Sequence, residues 1–397
     1  MAALGRDETF VVREDGRLFA GTRRAAMTPV PTTDDADGQQ LYTMVSALSR
    51  NFAAVSQNGD LYMQGYNHFG MMGNADLPQT EKSPLTRVLF GGARVAQVAL
   101  GYFHAVVLLS GGDVHTCGCG LFGRLGHNSE RNLRSFARVE ALAAERVVFV
   151  AAGYAVSAVV TLAGRVSTFG CNSNHALGLG DRCNRLVPTM TQPFGAARTV
   201  LVSMSHHTVA VQEDGSTYVW GDNQHEQLGL GDRDSRPLPT RLDVGPVVSV
   251  ACSTNHTVLL GTDGVVYMCG FSNGRRLWRV PGVPPAVSVS VARYQSAAVT
   301  ADGRLFTWHR YRPTPVHWPQ SGRVGIFQRT VSPARGLAFA MLSHPRLGAA
   351  RRWNALLIPD VVRNILDATL APADPVGTLD GLVRLLGGGA VSPIRPF

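Results

Sequence analysis

One glycine that returns at near-constant spacing constrains this chain more than any other feature. It stands at Gly16, Gly59, Gly112, Gly164, Gly215, Gly264 and Gly303, in steps of 39 to 53 residues. The residues before it are Asp15, Asn58, Gly111, Ala163, Asp214, Asp263 and Asp302, so six of the seven pairs are Asp-Gly, Asn-Gly or Gly-Gly. Such dipeptides tolerate positive φ at both centres of a type I′ turn, which predicts seven tight two-residue β-hairpins. A self-similar period of this length means repeated supersecondary units that bury their apolar faces only against one another.

Further columns keep phase with the first. Six residues on, glycine recurs at Gly65, Gly118, Gly170, Gly221 and Gly270, and in the fifth unit Trp220 precedes it. Thirteen and fourteen residues on stand Met72-Gly73, Leu125-Gly126, Leu177-Gly178 and Leu228-Gly229, with a decayed Leu277-Trp278. Eight residues before the hairpin glycine lies the column Glu8, Asn51, His104, Val156, His207, His256 and Gln295, set in apolar runs. A polar residue at a fixed place in a buried strand is expected to satisfy a backbone group of the next unit. His104, His207 and His256 are therefore assigned structural roles rather than ligand or catalytic ones.

The stretch VALGYFHAVVL at residues 98–108, the Trp220-Gly221 pair and QLGLGD at residues 227–232 together resemble the repeats of the regulator of chromosome condensation (RCC1-like) family. That resemblance covers about residues 5–341 and implies an all-β, seven-bladed β-propeller. Trp-Asp and kelch propellers fit less well, because neither places Leu-Gly at a fixed distance after Trp-Gly.

A propeller accommodates 397 residues in one closed ring, and 45% hydrophobic against 16% charged residues suffices for a large core. The apolar run at residues 147–164 is long enough for a membrane span, yet Gly153 and Gly164 keep phase with Gly101 and Gly112. It is predicted to be two strands of a blade. The six cysteines, Cys117, Cys119, Cys171, Cys183, Cys252 and Cys269, form no C-x-x-C pair, and Cys117 and Cys269 share the column of Trp220. With no leader pattern visible in MAALGRDETF, an intracellular location, cytoplasmic or nuclear, is expected.

At the N-terminus, Gly5 and Glu8 match the columns of Gly101 and His104, with no complete strand before them. Blade one is therefore expected to borrow a strand from residues 324–342, VGIFQRTVSPARGLAFAML, so that both chain ends build it. The segment from Thr22 to Gln40, with Asp34, Asp35 and Asp37, reads as a solvated loop. Residues 1–345 are assigned to the propeller and residues 346–397 to a short, basic, helical tail with helices near residues 359–370 and 379–386. Residues 356–370, LLIPDVVRNILDATL, resemble the first helix of an F-box, whose usual partner is a ubiquitin-ligase adaptor. Packing against the propeller is the expectation for this tail.

The net charge of +9 is concentrated late: residues 301–397 hold twelve arginines against five aspartates. Lys82 is the sole lysine. Arginine also recurs in phase in NSERNLR (128–134), DRCNR (181–185) and DRDSR (232–236), which makes Arg131, Arg134, Arg182, Arg185, Arg233 and Arg236 the candidate partner-facing set. No phosphate-binding loop, H-E-x-x-H, G-x-S-x-G or metal-ligand spacing occurs, so neither an enzyme nor a cofactor or metal is expected. The family resemblance implies nucleotide exchange on a small GTPase as an alternative; against it stand the compact units, without an inserted wedge or a basic N-terminal tail. A photoreceptor role, known for a plant relative, requires clustered tryptophans, and Trp220, Trp278, Trp308, Trp318 and Trp353 are scattered. The expectation is a monomeric, non-enzymatic interaction scaffold for a protein partner, without a membrane contact. Exchange on a Ran-like or other small GTPase ranks second, and chromatin or DNA binding, at most weak, ranks third.

Overall fold

The computed structural model describes residues 2–5, 8–13, 15–22, 25–30, 40–79, 82–271, 276–292, 294–309 and 312–316. The expected closing segment, the tail, Trp318, Trp353 and the three clustered aspartates lie outside the described residues.

Seven four-stranded antiparallel sheets follow one another along the chain. Blade one holds β1 (Ala2–Leu4), β2 (Thr9–Val12), β3 (Leu18–Thr22) and β4 (Ala25–Pro29). Blade two holds β5 (Tyr42–Leu48), β6 (Asn51–Ser56), β7 (Leu61–Tyr66) and β8 (Lys82–Val88); blade three holds β9 (Val95–Leu100), β10 (His104–Leu109), β11 (Val114–Gly118) and β12 (Leu133–Arg138). Blade four comprises β13 (Val147–Ala152), β14 (Val156–Thr161), β15 (Val166–Gly170) and β16 (Arg185–Met190), and blade five β17 (Thr199–Met204), β18 (His207–Gln212), β19 (Thr217–Gly221) and β20 (Arg236–Leu242). Blade six has β21 (Val247–Cys252), β22 (His256–Gly261), β23 (Val266–Gly270) and a two-residue β24 (Trp278–Arg279); blade seven has β25 (Ala286–Val291), β26 (Gln295–Thr300), β27 (Leu305–His309) and β28 (Arg312–Val316). The first strands of successive blades touch around the centre, and β1 meets β25 and β26, which closes a seven-bladed β-propeller. Residues 147–164 form β13 and β14, and no helix among the described residues is long and apolar enough to cross a membrane.

Three expectations are corrected. Among the described residues, blade one is a four-stranded sheet built from residues 2–29: Ala2, Ala3 and Leu4 pair with Val11, Phe10 and Thr9, so its innermost strand comes from the N-terminus itself. Ring closure comes from side chains instead, with Ala2, Leu4 and Val11 packed on Val287, Ala297, Val299 and Leu305. The segment from Thr22 to Gln40 is not all loop, since Ala25–Pro29 pairs with β3 as the outer strand. The hairpins are not two-residue type I′ turns either. In each blade the glycine N–H donates four-residue-turn fashion, as Gly215 N to Gln212 O at 2.9 Å, while Gln212 N donates to Ser216 O at 2.9 Å. That is a three-residue loop, a type I turn closed by a left-handed glycine. Only the glycine has positive φ, +82° at Gly215, and the preceding aspartate contributes its carboxylate: Asp214 Oδ1 accepts the Ser216 N–H at 2.8 Å. Ala163 is tolerated because its own φ stays negative.

Blades are locked to each other by two repeated devices. The Leu-Gly glycine of one blade lies against a ring or thiol of the next: a Cβ at Gly126 would touch Phe169, at Gly178 Trp220, and at Gly229 the Cys269 sulfur at 3.1 Å. The histidines form the second device. His104 Nε2 lies 2.9 Å from Ser157 Oγ, and that hydroxyl donates its one proton to Arg124 O at 2.8 Å. The hydroxyl therefore accepts from His104, which places a proton on Nε2, and burial keeps the ring neutral. His207 repeats this with Thr257 Oγ1 (2.6 Å), which donates to Gln227 O (2.7 Å), and His256 lies 3.0 Å from Ser296 Oγ. The histidines therefore reach a hydroxyl of the next blade rather than the expected backbone group of that blade, and the hydroxyl returns to a carbonyl of the histidine's own blade. Burial lowers both His104 and His207 to about 3, helped by the Arg124 cation and by His206 respectively.

The outer strands carry prolines at Pro84, Pro188, Pro237, Pro239, Pro313 and Pro315. A proline lacks the N–H that a further strand would need, so these blade edges resist edge-to-edge pairing.

Candidate functional site

Strand order puts the turns between the first and second strands of every blade on the same face as the loops between the third and fourth strands. The two sets interlock: Cys119 N donates to Phe103 O at 2.8 Å and Asp222 N to His206 O at 3.1 Å. The glycine hairpins occupy the opposite face with the connections between blades, as shown by Gly215 lying against Pro246.

On the first face, aromatic rings form a continuous arc across four blades. Tyr66 stacks on His68 (5.6 Å between centroids), and His68 and Phe69 both meet Phe103 edge-on, at 6.3 and 5.3 Å. Phe103 contacts Tyr102 at 4.5 Å, Tyr102 contacts Tyr154 at 4.8 Å, and Tyr154 meets His206 at 4.9 Å. Parts of this arc and its flanks lie open: Phe69 is 39% exposed, Tyr154 42%, Leu121 45% and Tyr294 40%. The loop rings project because Phe69 and Phe122 sit at positive φ, 58° and 65°, each inside a single tight turn before a glycine. Such a backbone is costly for an aromatic residue and persists only where its surroundings impose it. A Cβ on Gly123 would run into the Leu186 and Arg185 backbone of the next blade, so that neighbour is what holds the loop.

The arc borders a central funnel of about 290 Å³, lined by the ends of the first strands of blades two to seven. Its wall is small and uncharged, with Ser46, Ala99, Ala151, Ser203, Ser253 and Ser290 representative. His206, at the rim, is lowered below its ordinary pKa by burial, against the opposing pull of Asp222. Among the described residues no cluster of histidine, cysteine or carboxylate side chains could hold a metal ion.

The six arginines lie at the outer rim of the same face, and three begin or occupy strands: Arg134 in β12, Arg185 opening β16 and Arg236 opening β20. Five of the six side chains are hydrogen-bonded within the protein, three of them to carboxylates. Arg185 pairs with Asp181 (2.6 Å) and Arg236 with Asp232 (2.5 Å), while those aspartates also accept from Asn172 and Asn223. Arg233 reaches the buried Glu226 at 3.0 Å, Arg182 the His175 ring at 3.0 Å, and Arg134 the carbonyls of Ala75 and Leu77. The Arg185 hydrogen bond holds Asp181 below its ordinary pKa. At Asp232 burial alone would raise the value, and Arg236 with the Asp234 N–H more than offsets it. Arg131 is exposed, and its backbone N–H donates to Ser129 Oγ.

Sequence reasoning missed two features. The arc residues Tyr102, Phe103, Tyr154 and His206 stand just before the histidine column, a position legible from the repeat but variable in residue type. Arg124 stands twelve residues after its hairpin glycine, where the other well-formed blades carry Met71, Ala176 and Gln227. A charge in a neutral column was the available signal.

A family model for the RCC1-like domain matches residues 1–279. The Arabidopsis thaliana ultraviolet-B receptor UVR8 is 32% identical over 301 residues, covering 71% of this chain and 66% of the receptor. The chain thus spans just under two thirds of that relative's length. Among solved structures, human WBSCR16 superposes with a TM-score of 0.66 at 22% identity, covering 75% of this chain and 87% of that one. Prp20p from Saccharomyces cerevisiae, described with its binding properties to Gsp1p and histones, also gives 0.66, at 18% identity over 79% of this chain and 86% of its own. With seven sheets in phase with seven hairpin glycines, and a family model matching well over half its length, the chain belongs to the RCC1-like domain family.

Proposed function

We propose that the chain is a non-enzymatic protein-interaction scaffold whose partner docks on the face carrying the aromatic arc. The observation behind this reading is the run of rings from Tyr66 to His206, partly exposed, at the mouth of a funnel lined by small uncharged residues. Aromatic anchors beside a concavity are the usual energetic centre of a protein interface. A nucleic-acid interface is less well supported, because three of the six candidate guanidinium groups are already paired with carboxylates, which halves the charge available to exchange for counterions.

The second reading, guanine-nucleotide exchange on a small GTPase, draws support from the fold likeness to Prp20p, whose own description includes binding to Gsp1p. One experiment addresses both. Affinity capture with the intact chain is compared with Tyr154→Ala and Phe69→Ser on the arc face and Leu89→Ser on the other, Leu89 being 74% exposed. Partners lost with the first two variants and kept with the third are expected; equal loss or equal retention in all three sinks the docking reading. Captured GTPases are then assayed for nucleotide release. Acceleration of tenfold or more, about 1.4 kcal/mol off the release barrier, would put exchange first.

A further inference from the structure

Arg124 is only 4% exposed and lies in the loop after β11, between Phe122 and Leu125. Its Nε donates to Leu121 O at 2.9 Å, and its guanidinium stands 5.7 Å from the centre of the Phe122 ring. The titratable groups coupled to it are Cys119, Cys171, Tyr154 and the neutral His104, none of them a carboxylate, and among the described residues no ion pair reaches it. Arg185, Arg233, Arg236, Arg138, Arg165 and Arg198 are all less buried, and each has a carboxylate partner. Burial pulls Arg124 below its ordinary pKa, yet a guanidinium keeps its charge in a protein.

A buried cation without a counter-charge is destabilising, and removing it in favour of a neutral side chain of similar volume is commonly neutral or better for stability. The repeat itself supplies such alternatives at this position, since Met71, Ala176 and Gln227 are all buried there without charge. The backbone carbonyl has a shared structural duty, accepting the hydroxyls of Ser157, Thr208 and Thr257 in blades four to six. The side chain does not share in it. What distinguishes blade three is therefore the charge, and it lies near Tyr154, an exposed member of the aromatic arc.

We propose that Arg124 is the receptor for an Asp or Glu side chain on an acidic segment of the protein partner, which enters between blades three and four beside Tyr154. The proposal rests on docking at the arc face. The carboxylate completes a charge-assisted pair with the free edge of the guanidinium, which a planar fork accepts at two points. Exclusion of water by Leu121, Phe122 and Tyr154 strengthens that pair relative to one at the rim. Arginines at the rim, satisfied by Asp181 and Asp232, have no such need.

The test is a peptide array of varied twelve-residue sequences, each printed beside a twin with Asp→Asn and Glu→Gln changes. It is probed with the intact chain and with Arg124→Gln, Arg124→Met, Tyr154→Ala and Arg185→Gln. Peptides retained by the intact chain are expected to lose at least tenfold in the amide twin. The same loss is expected with either Arg124 variant, and none with Arg185→Gln. Both Arg124 variants should melt no lower than the parent, since glutamine and methionine serve at this position in blades five and two. Equal retention of acidic and amide twins, no retention at all, or unchanged affinity in a folded Arg124 variant would overturn the proposal. If Tyr154→Ala weakens retention while the Arg124 variants do not, docking on this face stands and only the carboxylate receptor falls. If Tyr154→Ala is silent too, both readings fall.

Discussion

A buried histidine in this ring is a neutral crosspiece, and its protonation opposes folding. Both His104 and His207 are lowered to about 3, so between that value and about 6.5 the unfolded chain binds more protons than the folded one. Stability rises with pH through this window and is complete above it; each histidine subtracts about 1.4 kcal/mol per pH unit on the acid side. Melting temperature should fall between pH 7 and pH 5, and His207→Gln should flatten that fall while lowering the value at pH 7. An unchanged pH dependence in the variant would mean that His207 does not carry the effect. The glycine hairpins teach a related lesson. Asp-Gly suggested a two-residue turn, but the dipeptide is equally suited to a three-residue loop, in which aspartate caps the turn with its side chain. The two differ in hydrogen-bond register, which residue type alone does not specify.

At the scale of the element, the loop after the third strand of blades four and five is closed on itself by a small polar network. Asn172 donates to Asp181 O at 2.8 Å and accepts Leu177 N at 3.0 Å, while Arg185 clamps Asp181; Asn223, Leu228, Asp232 and Arg236 repeat the arrangement. Arg185→Ala and Arg236→Ala should each lose amide-exchange protection in their own loop, with the other loop unaffected, because the networks share no member. Binding to duplex DNA between about 50 and 200 mM salt should change less than twofold in either variant, measured by fluorescence anisotropy. Tight binding that survives the higher salt and vanishes with these arginines would make the rim a polyanion site. Arginine in phase was visible in the sequence, but so was the aspartate four residues earlier, and only their 2.5–2.6 Å separation shows that the charge is already used.

Across the described residues, the ring is closed by packing of the first blade on the last. Leu4 is fully buried against residues of blade seven. Leu4→Ala should cost about 2–5 kcal/mol, the usual range for a core leucine. Amide protection should drop in β25 and β26 as well as in β1 and β2. A loss confined to blade one would show that this cluster does not hold the ring together.

Fold class, blade number and strand phase were legible without coordinates, because a repeat that buries its faces only on its neighbours writes the same glycines and apolar columns into every unit. Closure was not, since Ala2 to Leu4 is too short to register as a strand until Val11, Phe10 and Thr9 are seen to pair with it. Nor was the docking face. Tyr66, Phe103, Tyr102, Tyr154 and His206 come from four blades and fall at different offsets, so their ring-to-ring contact arises only when the blades are arranged about one axis. Local periodicity decides which strands form; the three-dimensional neighbours decide which side chains are satisfied, and so which remain available to a partner.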